Sequence, residues 1–298
     1  AKAYDFPNGI LAYGAEAKLL GKPGVDLSVQ YWAKDFLQQN PISSPYGKQE
    51  GELFCRYAQA LNQLLPHVVS HCKLYFEADT FTGPQEAEYA AFYSIAGIAA
   101  DKLLPQLLAE HKMQDRLAAV QKYRQLATPD MELWLVGFMN SRELRPLRLV
   151  FLAQQTTVAK LIKAAKNIFS KLPSDFEQKL LEIDKLKLFN YMLNIDIMPD
   201  GSLGKNIGID LVFRTIQPHE QKEIVQSINF QLFLQLLQGW QIADTRVNSL
   251  NRCIQLLKLT APELPYQLHS VFSHPKLTWK KEQLGSAKVY IGLKIYRE

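Results

Sequence analysis

Cysteine is scarce in this sequence, and its three cysteines, Cys55, Cys72 and Cys253, are far apart and form no CxxC pair. An odd and scattered set indicates neither a disulfide framework nor a zinc site, so we expect no structural metal and a reducing environment. No apolar run approaches the roughly 18 residues that span a bilayer, and the first residues lack a signal-peptide pattern. We therefore expect a cytoplasmic protein that is not inserted in a membrane.

The motifs of several common functional classes are also missing. The sequence has no GxSxG elbow, no glycine-rich phosphate loop and no RNP or helix-turn-helix signature. The net charge of +5 is small for 298 residues, and basic residues are spread along 112–124 and 158–171. That spacing is typical of solvated helix faces, although a mild positive charge favours anionic ligands. We predict no nucleic-acid partner.

A repeated unit organises the chain. Five times, two short β-rich segments are separated by a polar or Gly/Pro turn, which is the pattern of a β-hairpin. Between the pairs, apolar residues recur every three or four positions and predict helices. The paired segments are 11–20 with 25–32, 72–79 with 87–95, 132–139 with 147–153, 188–198 with 207–214, and 276–280 with 287–296; the predicted helical regions are 49–70, 101–126, 155–186 and 216–259.

Strands that follow each other through short turns indicate an antiparallel sheet. Within the strands, apolar residues such as Leu193 and Ile195 alternate with polar ones such as Asn194 and Asp196, so each strand has an apolar and a polar face. If helices cover the apolar face, the polar one points inward. We predict one α+β domain over 1–298, a closed ten-stranded antiparallel β-barrel of five hairpins with a polar lumen, surrounded by helices. An open α+β sheet with one solvated face is the alternative.

The order of these repeats resembles that of the ABBA-type aromatic and peptide prenyltransferases, whose fold is a ten-stranded barrel of helix-strand-strand-helix units. The resemblance covers residues 11–296 and rests on repeat order and strand character. Members of the family bind an allylic diphosphate and an aromatic acceptor inside the barrel without an aspartate-rich DDxxD motif, which this sequence also lacks. The resemblance implies a prenyltransferase that uses dimethylallyl or geranyl diphosphate and an aromatic small molecule or a peptide as acceptor.

The resemblance also assigns residues that would bind the diphosphate. In the family, lysines, arginines and tyrosines on inward-facing strand positions hold it, because charge-assisted hydrogen bonds are the strong ones. Lys288 and Tyr290 in the last strand resemble the family's basic-x-Tyr element, and Arg148 takes the place of a polar diphosphate contact in the third hairpin. Lys73 and Tyr75 form a second basic-x-Tyr pair.

Three carboxylates are further site candidates, and the resemblance points to two of them. The stretch VDLSV resembles one in the bacterial small-molecule branch, in which the aspartate, here Asp26, helps a magnesium ion to bind diphosphate. The resemblance therefore allows Mg²⁺ as a cofactor but does not require it. Glu16 lies on the first strand, where the peptide-modifying branch carries a catalytic glutamate, and Glu77 is the other candidate for the base that accepts the acceptor's proton.

The sequence departs from the family pattern on two strands. Segment 87–95 has no lysine where many members have one, and Asp210 stands where a basic residue is expected. Lys18, Lys73 and Arg214 are candidates to compensate. A cradle with fewer cations leaves a second function open, that of a non-catalytic or accessory protein that binds a ligand or peptide in the same cavity.

Overall fold

In the computed structural model, the described residues form one antiparallel sheet of eleven strands. The structure describes residues 3–4, 10–20, 25–32, 36–37, 48–64, 66, 73–79, 89–95, 100–140, 142, 144–152, 157–214, 218–250, 266–280 and 282–297. The strands are β1 (Ala3–Tyr4), β2 (Ile10–Lys18), β3 (Val25–Trp32), β4 (Lys73–Asp79), β5 (Tyr89–Ser94), β6 (Glu132–Met139), β7 (Leu147–Leu152), β8 (Phe189–Ile197), β9 (Leu203–Phe213), β10 (Tyr266–Lys280) and β11 (Gln283–Arg297).

From β2 onward each strand pairs with the next one in the chain, and the last strand also pairs with β2. The β11–β2 ladder runs from Leu293 opposite Tyr13 to Lys288 opposite Lys18. The short β1 adds to β11 beside that ladder. Each strand from β2 to β11 therefore has a paired neighbour on both sides, and the predicted curled antiparallel sheet with helices is confirmed.

The helices lie between the hairpins. They are α1 (Lys48–Leu64), α2 (Ala100–Glu110), α3 (Leu117–Ala127), α4 (Val158–Ile168), α5 (Phe176–Asp184), α6 (Pro218–Gln226) and α7 (Ile228–Gly239). The single helical region predicted over 101–126 is two helices, because Lys112 has a left-handed backbone (φ 56°) that a right-handed helix cannot contain. Among the described helices, none is long and apolar enough to cross a membrane.

The last hairpin is longer than its sequence indicates. The prediction began its first strand at Lys276, whereas β10 begins at Tyr266 and contains Pro275. A register shift between Phe272 and His274 interrupts the alternation of apolar and polar residues, which hides this half of the strand from a period-two pattern. Within the predicted helical region 216–259, α7 ends at Gly239 and a 3₁₀ helix follows at Thr245–Ser249, whereas 251–265 lie outside the described residues.

The apolar face of the sheet packs against the helices. Leu193, Ile195 and Ile197 of β8 are at most 1 % exposed and join one core with helix residues such as Leu161 and Leu180. These apolar side chains thus point toward the helices, as predicted. We call the opposite face of the sheet, turned away from this core, the inner face.

Asp175 ties the β10–β11 hairpin to the start of α5. Its Oδ1 accepts a hydrogen bond from Trp279 Nε1 at 3.0 Å, and its Oδ2 accepts one from the Leu284 backbone N–H at 3.1 Å. Lys179 Nζ lies 2.7 Å from the same Oδ2. Burial alone raises the pKa of this carboxyl, but the hydrogen bonds and the lysine charge outweigh it and hold the pKa below its usual value.

Replacing Asp175 with alanine should lower the free energy of unfolding by about 2 kcal/mol, because buried Trp279 Nε1 and the Leu284 N–H lose their acceptor. Urea unfolding followed by circular dichroism measures the change. The control is Glu177→Ala, which breaks an exposed ion pair with Lys166 in the first turn of the same helix and should cost no more than about 1 kcal/mol. Equal losses in the two variants would contradict this role of Asp175.

Candidate functional site

Charged and amide side chains are buried on the inner face between β7 and β10. Asn194, Asp196, Asp210 and Lys276 are at most 9 % exposed, and the Arg148 side chain is 12 % exposed. Their strand neighbours belong to the core under the helices, so the alternation of a strand places these five on the other side. Buried charges are stable only when they are paired and hydrogen-bonded.

Arg148 and Asp196 form the first buried ion pair. The two residues lie directly across from each other on β7 and β8. Arg148 Nε donates to Asp196 Oδ1 at 2.8 Å and its Nη2 donates to Oδ2 at 3.0 Å, while Arg142 Nη1 donates to Oδ2 at 3.2 Å. Burial by itself raises the pKa of Asp196, but the two guanidinium groups outweigh it and hold the pKa below the usual range.

Lys276, Asn194 and Asp210 form a second buried cluster. Lys276 Nζ donates to Asn194 Oδ1 at 2.9 Å and lies 3.1 Å from Asp210 Oδ1. Asn194 Nδ2 donates to Asp210 Oδ2 at 3.0 Å. Gly208, opposite both Asn194 and Thr278, leaves the space for this contact, because a Cβ there would lie 3.0 Å from Asn194 Cβ and 3.2 Å from Lys276 Cε.

His274 and Tyr290 form an aromatic pair beside this cluster. Their rings stack at a centroid distance of 4.3 Å with an interplanar angle of 15°. Ser273 Oγ lies 2.9 Å from His274 Nδ1, within the register shift of β10. Burial alone raises the pKa of Asp210, but Lys276 and then the nearby His274 outweigh it and keep that pKa below its usual value.

Three lysines lie side by side on three neighbouring strands. Lys276 of β10 lies directly across from Lys288 of β11, which lies directly across from Lys18 of β2. Directly opposite positions share a face of the sheet, and like charges placed there repel. On the far side of Lys276, Asp210 lies directly across and pairs with its ammonium group. We call Lys18, Lys288 and Lys276 the lysine row; it is an arrangement that an anionic ligand would stabilise.

Three apolar side chains lie together on the inner face of β5 and β6. Ala90, Phe92 and Met139 are at most 7 % exposed and form a small cluster that is separate from the main core. We call these three residues the apolar cluster. On the described inner face, the buried charged side chains thus lie on β7 to β10, whereas β5 and β6 carry Ala, Phe and Met there.

The structure places the predicted diphosphate-binding residues in two groups. Arg148, Lys288 and Tyr290 lie on the described inner face, although Arg148 is already paired with Asp196. Lys73 and Tyr75 lie on β4, and their side chains are outside the description.

The predicted carboxylates lie on β2, β3 and β4. Glu16 is at the position directly across from both Tyr290 and Asp26, and Glu77 is across from Ala90. The side chains of these three lie outside the described part of the structure, so their roles stay predictions. The described residues contain no cluster of three or more metal-ligating side chains, and the magnesium expectation continues to rest on Asp26.

Sequence reasoning missed Lys276 and His274 and gave Asn194 and Asp196 no functional role. The signal for Lys276 was present, because it begins a predicted strand in which Leu277 and Trp279 mark the apolar positions. His274 had no such signal, since it lies beside a bulge in a segment that was not predicted as a strand.

The sequence matches no protein-family model, and a comparison with curated proteins finds no match. Solved structures do match. The structure of AnaPT from Neosartorya fischeri is 8 % identical, with a TM-score of 0.56 over 97 % of this chain and 78 % of that one. A 6-dimethylallyltryptophan synthase from Micromonospora olivasterospora in complex with DMASPP and Trp is 10 % identical, with a TM-score of 0.53 over 94 % and 81 %.

A third structure, named 6-dimethylallyl tryptophan synthase, is 10 % identical to this chain with a TM-score of 0.51, over 95 % of this chain and 80 % of that one. These neighbours are aromatic prenyltransferases. The chain therefore has the fold of the aromatic prenyltransferases, as the resemblance of its repeats implied. At this level of identity, the likeness concerns the fold alone.

Replacing Lys276 with methionine should lower the free energy of unfolding by about 3–5 kcal/mol, because Asp210 remains buried without its cation. The double variant Lys276→Met/Asp210→Leu should lose clearly less, since both charges are gone. Urea unfolding of the wild type, both single variants and the double variant gives the coupling energy. Additive losses would contradict a buried pair.

Acid should unfold the wild type more steeply than Asp196→Asn. The pKa of Asp196 is lower in the folded protein than its unfolded value of about 3.9, so its stabilising contribution is complete above that value. The contribution is lost as the pH falls through the folded pKa. Urea unfolding at intervals between pH 6 and 2 measures the slopes, and the exposed Asp115→Asn variant should follow the wild type. Parallel curves for Asp196→Asn and the wild type would contradict the role of the pair.

Proposed function

We propose that this protein transfers a prenyl group from an allylic diphosphate to an aromatic or peptide acceptor. The observation that carries the proposal is the lysine row on the inner face of a sheet with the fold of the aromatic prenyltransferases. One structure with a similar fold was solved with DMASPP and Trp, which supports a prenyl diphosphate and an aromatic acceptor as the two ligands. The acceptor class and the cytoplasmic setting remain those expected from the sequence.

The reaction would take place inside a closed ring of strands. We propose that β2 to β11 form the predicted ten-stranded barrel and that residues 1–298 are one domain; the β11–β2 ladder supports closure. The inner face is then the wall of a lumen, and an allylic cation formed there is kept from water. Such exclusion strengthens every electrostatic interaction within the site.

The lysine row would hold the diphosphate. Lys18 and Lys288 lie at directly opposite positions beside the Lys276–Asp210 pair, and a diphosphate spanning the row would form charge-assisted hydrogen bonds with the ammonium groups. Arg148 would join from β7 by exchanging part of its contact with Asp196 for a phosphate oxygen. Donors fixed in place before the ligand arrives are the arrangement that best stabilises a departing anion.

The proposed transfer accounts for each bond that breaks or forms and for the proton that is released. The C1–O bond of the donor breaks and the diphosphate leaves with the electron pair, while C1 bonds to the nucleophilic atom of the acceptor. The acceptor's proton passes to a carboxylate, for which Glu16 and Glu77 are the candidates. The stacked rings of Tyr290 and His274 lie beside Lys288 and Lys276. The face of the tyrosine ring would stabilise the allylic cation by a cation–π attraction of about 0.5–2 kcal/mol.

One observation favours a second candidate, a ligand-binding protein without catalysis. Arg148 and Lys276 are already neutralised by Asp196 and Asp210, so a diphosphate must compete with two buried carboxylates. Such a site would bind an anionic ligand less tightly than a purely cationic one. A protein of this kind would bind prenyl diphosphates and release them unchanged.

Incubation with dimethylallyl and geranyl diphosphates over a panel of aromatic and peptide acceptors, with mass detection, separates the two candidates. A prenylated product supports the transferase, and binding without product supports the second candidate. Parallel reactions with Mg²⁺ and with EDTA test the magnesium expectation.

Replacing Lys288 with methionine should weaken pyrophosphate binding at least about tenfold, as expected for the loss of one charge-assisted contact. Calorimetric titration measures the affinity. Lys160→Met, which removes the same charge from the exposed side of α4, should leave the affinity unchanged. Equal affinities of the wild type and Lys288→Met would contradict the proposed site.

A further inference from the structure

Phe92 of β5 lies on the inner face, directly across from Tyr75 of β4. Gly137 lies directly across from Phe92 on β6, and a Cβ at Gly137 would lie 2.4 Å from Phe92 Cε1 and 2.6 Å from Cδ1. The phenyl ring therefore lies against the backbone of β6, in the hollow that the glycine leaves. Because Gly137 is also directly across from Arg148, this hollow adjoins the charged part of the inner face.

The ring does not belong to the core that stabilises the fold. Its strand neighbours Ala91 and Tyr93 pack in the main core, whereas Phe92 contacts Ala90 and Met139 in the apolar cluster. Apolar side chains on an otherwise charged inner face form a surface on which an apolar part of a ligand would be sheltered from water.

The apolar cluster and the lysine row face each other across the proposed lumen. In the ring β2 to β11, strand β5 is five strands from β10 in either direction, and β6 is five strands from β11. Ten strands about 4.8 Å apart and tilted by about 40° enclose a ring roughly 20 Å across. A ligand whose anionic head contacts the lysine row would extend toward Phe92, and long side chains on both walls leave room only for a short ligand.

We propose that Phe92 limits the length of the donor's apolar chain, and that the protein prefers a five-carbon to a ten-carbon prenyl diphosphate. This inference rests on the proposed function and names the donor class of the same site. The ring closes the Gly137 hollow; removing it extends the lumen by that hollow at the end where the chain would terminate. Phe92 is a specificity-determining residue in this account and takes no part in proton transfer or in holding the diphosphate.

The test is the affinity of the full chain for pyrophosphate and for dimethylallyl, geranyl and farnesyl diphosphates, in the wild type and in Phe92→Ala. The affinity for geranyl relative to dimethylallyl diphosphate should rise about tenfold or more in Phe92→Ala, because additional methylene groups become buried. The pyrophosphate affinity should stay unchanged, since the lysine row is intact. Phe92→Leu, closer in volume to the wild type, should shift the ratio in the same direction by less.

The matched control is Val150→Ala, which removes a buried side chain from the inner face of β7 outside the apolar cluster. Its ratio of geranyl to dimethylallyl affinity should equal that of the wild type. A folded Phe92→Ala or Phe92→Leu variant with an unchanged ratio overturns the inference while leaving the proposed function intact. Equal shifts in Phe92→Ala and Val150→Ala overturn it as well. A wild type that binds neither pyrophosphate nor any prenyl diphosphate removes the proposed function and this inference together.

Discussion

The burial of ions on one face of the sheet is the constraint on which the rest of the structure depends. Apolar side chains are needed under the helices, so the alternation of each strand puts Arg148, Asp196, Asp210 and Lys276 on the inner face. Each isolated ion would cost several kcal/mol there, and only the cross-strand register gives each one its partner. A slip of one residue would turn these charges toward the helices, so the register and the site are fixed together.

The parts of the fold that the sequence predicts well are those where alternation is uninterrupted. The bounds of β3 and β6 agree with their predicted segments, 25–32 and 132–139. The first half of β10 was not predicted, because a bulge and Pro275 break its pattern. The break between α2 and α3 was missed since Lys112, unlike glycine or proline, gives no sequence signal for a turn.

The candidate site was less predictable than the fold, because it is made of pairs between distant segments. Local patterns identify Arg148 and Lys288 as polar strand positions, but they do not tell which carboxylate or lysine lies opposite. Lys276 and Asn194 are 82 residues apart in sequence and are joined only by the order of the strands and by the space above Gly208. The departure seen at Asp210 gains a physical explanation, since it is the counter-ion of Lys276.

The inner face thus combines paired ions, a row of three lysines and an apolar cluster, which together suit a ligand with an anionic head and an apolar tail. The most direct test is an experimental structure of the protein with pyrophosphate bound. The account predicts the anion within hydrogen-bonding distance of the Nζ atoms of Lys276 and Lys288. Pyrophosphate bound only outside the inner face, with no contact to the Nζ atom of either lysine, would contradict it.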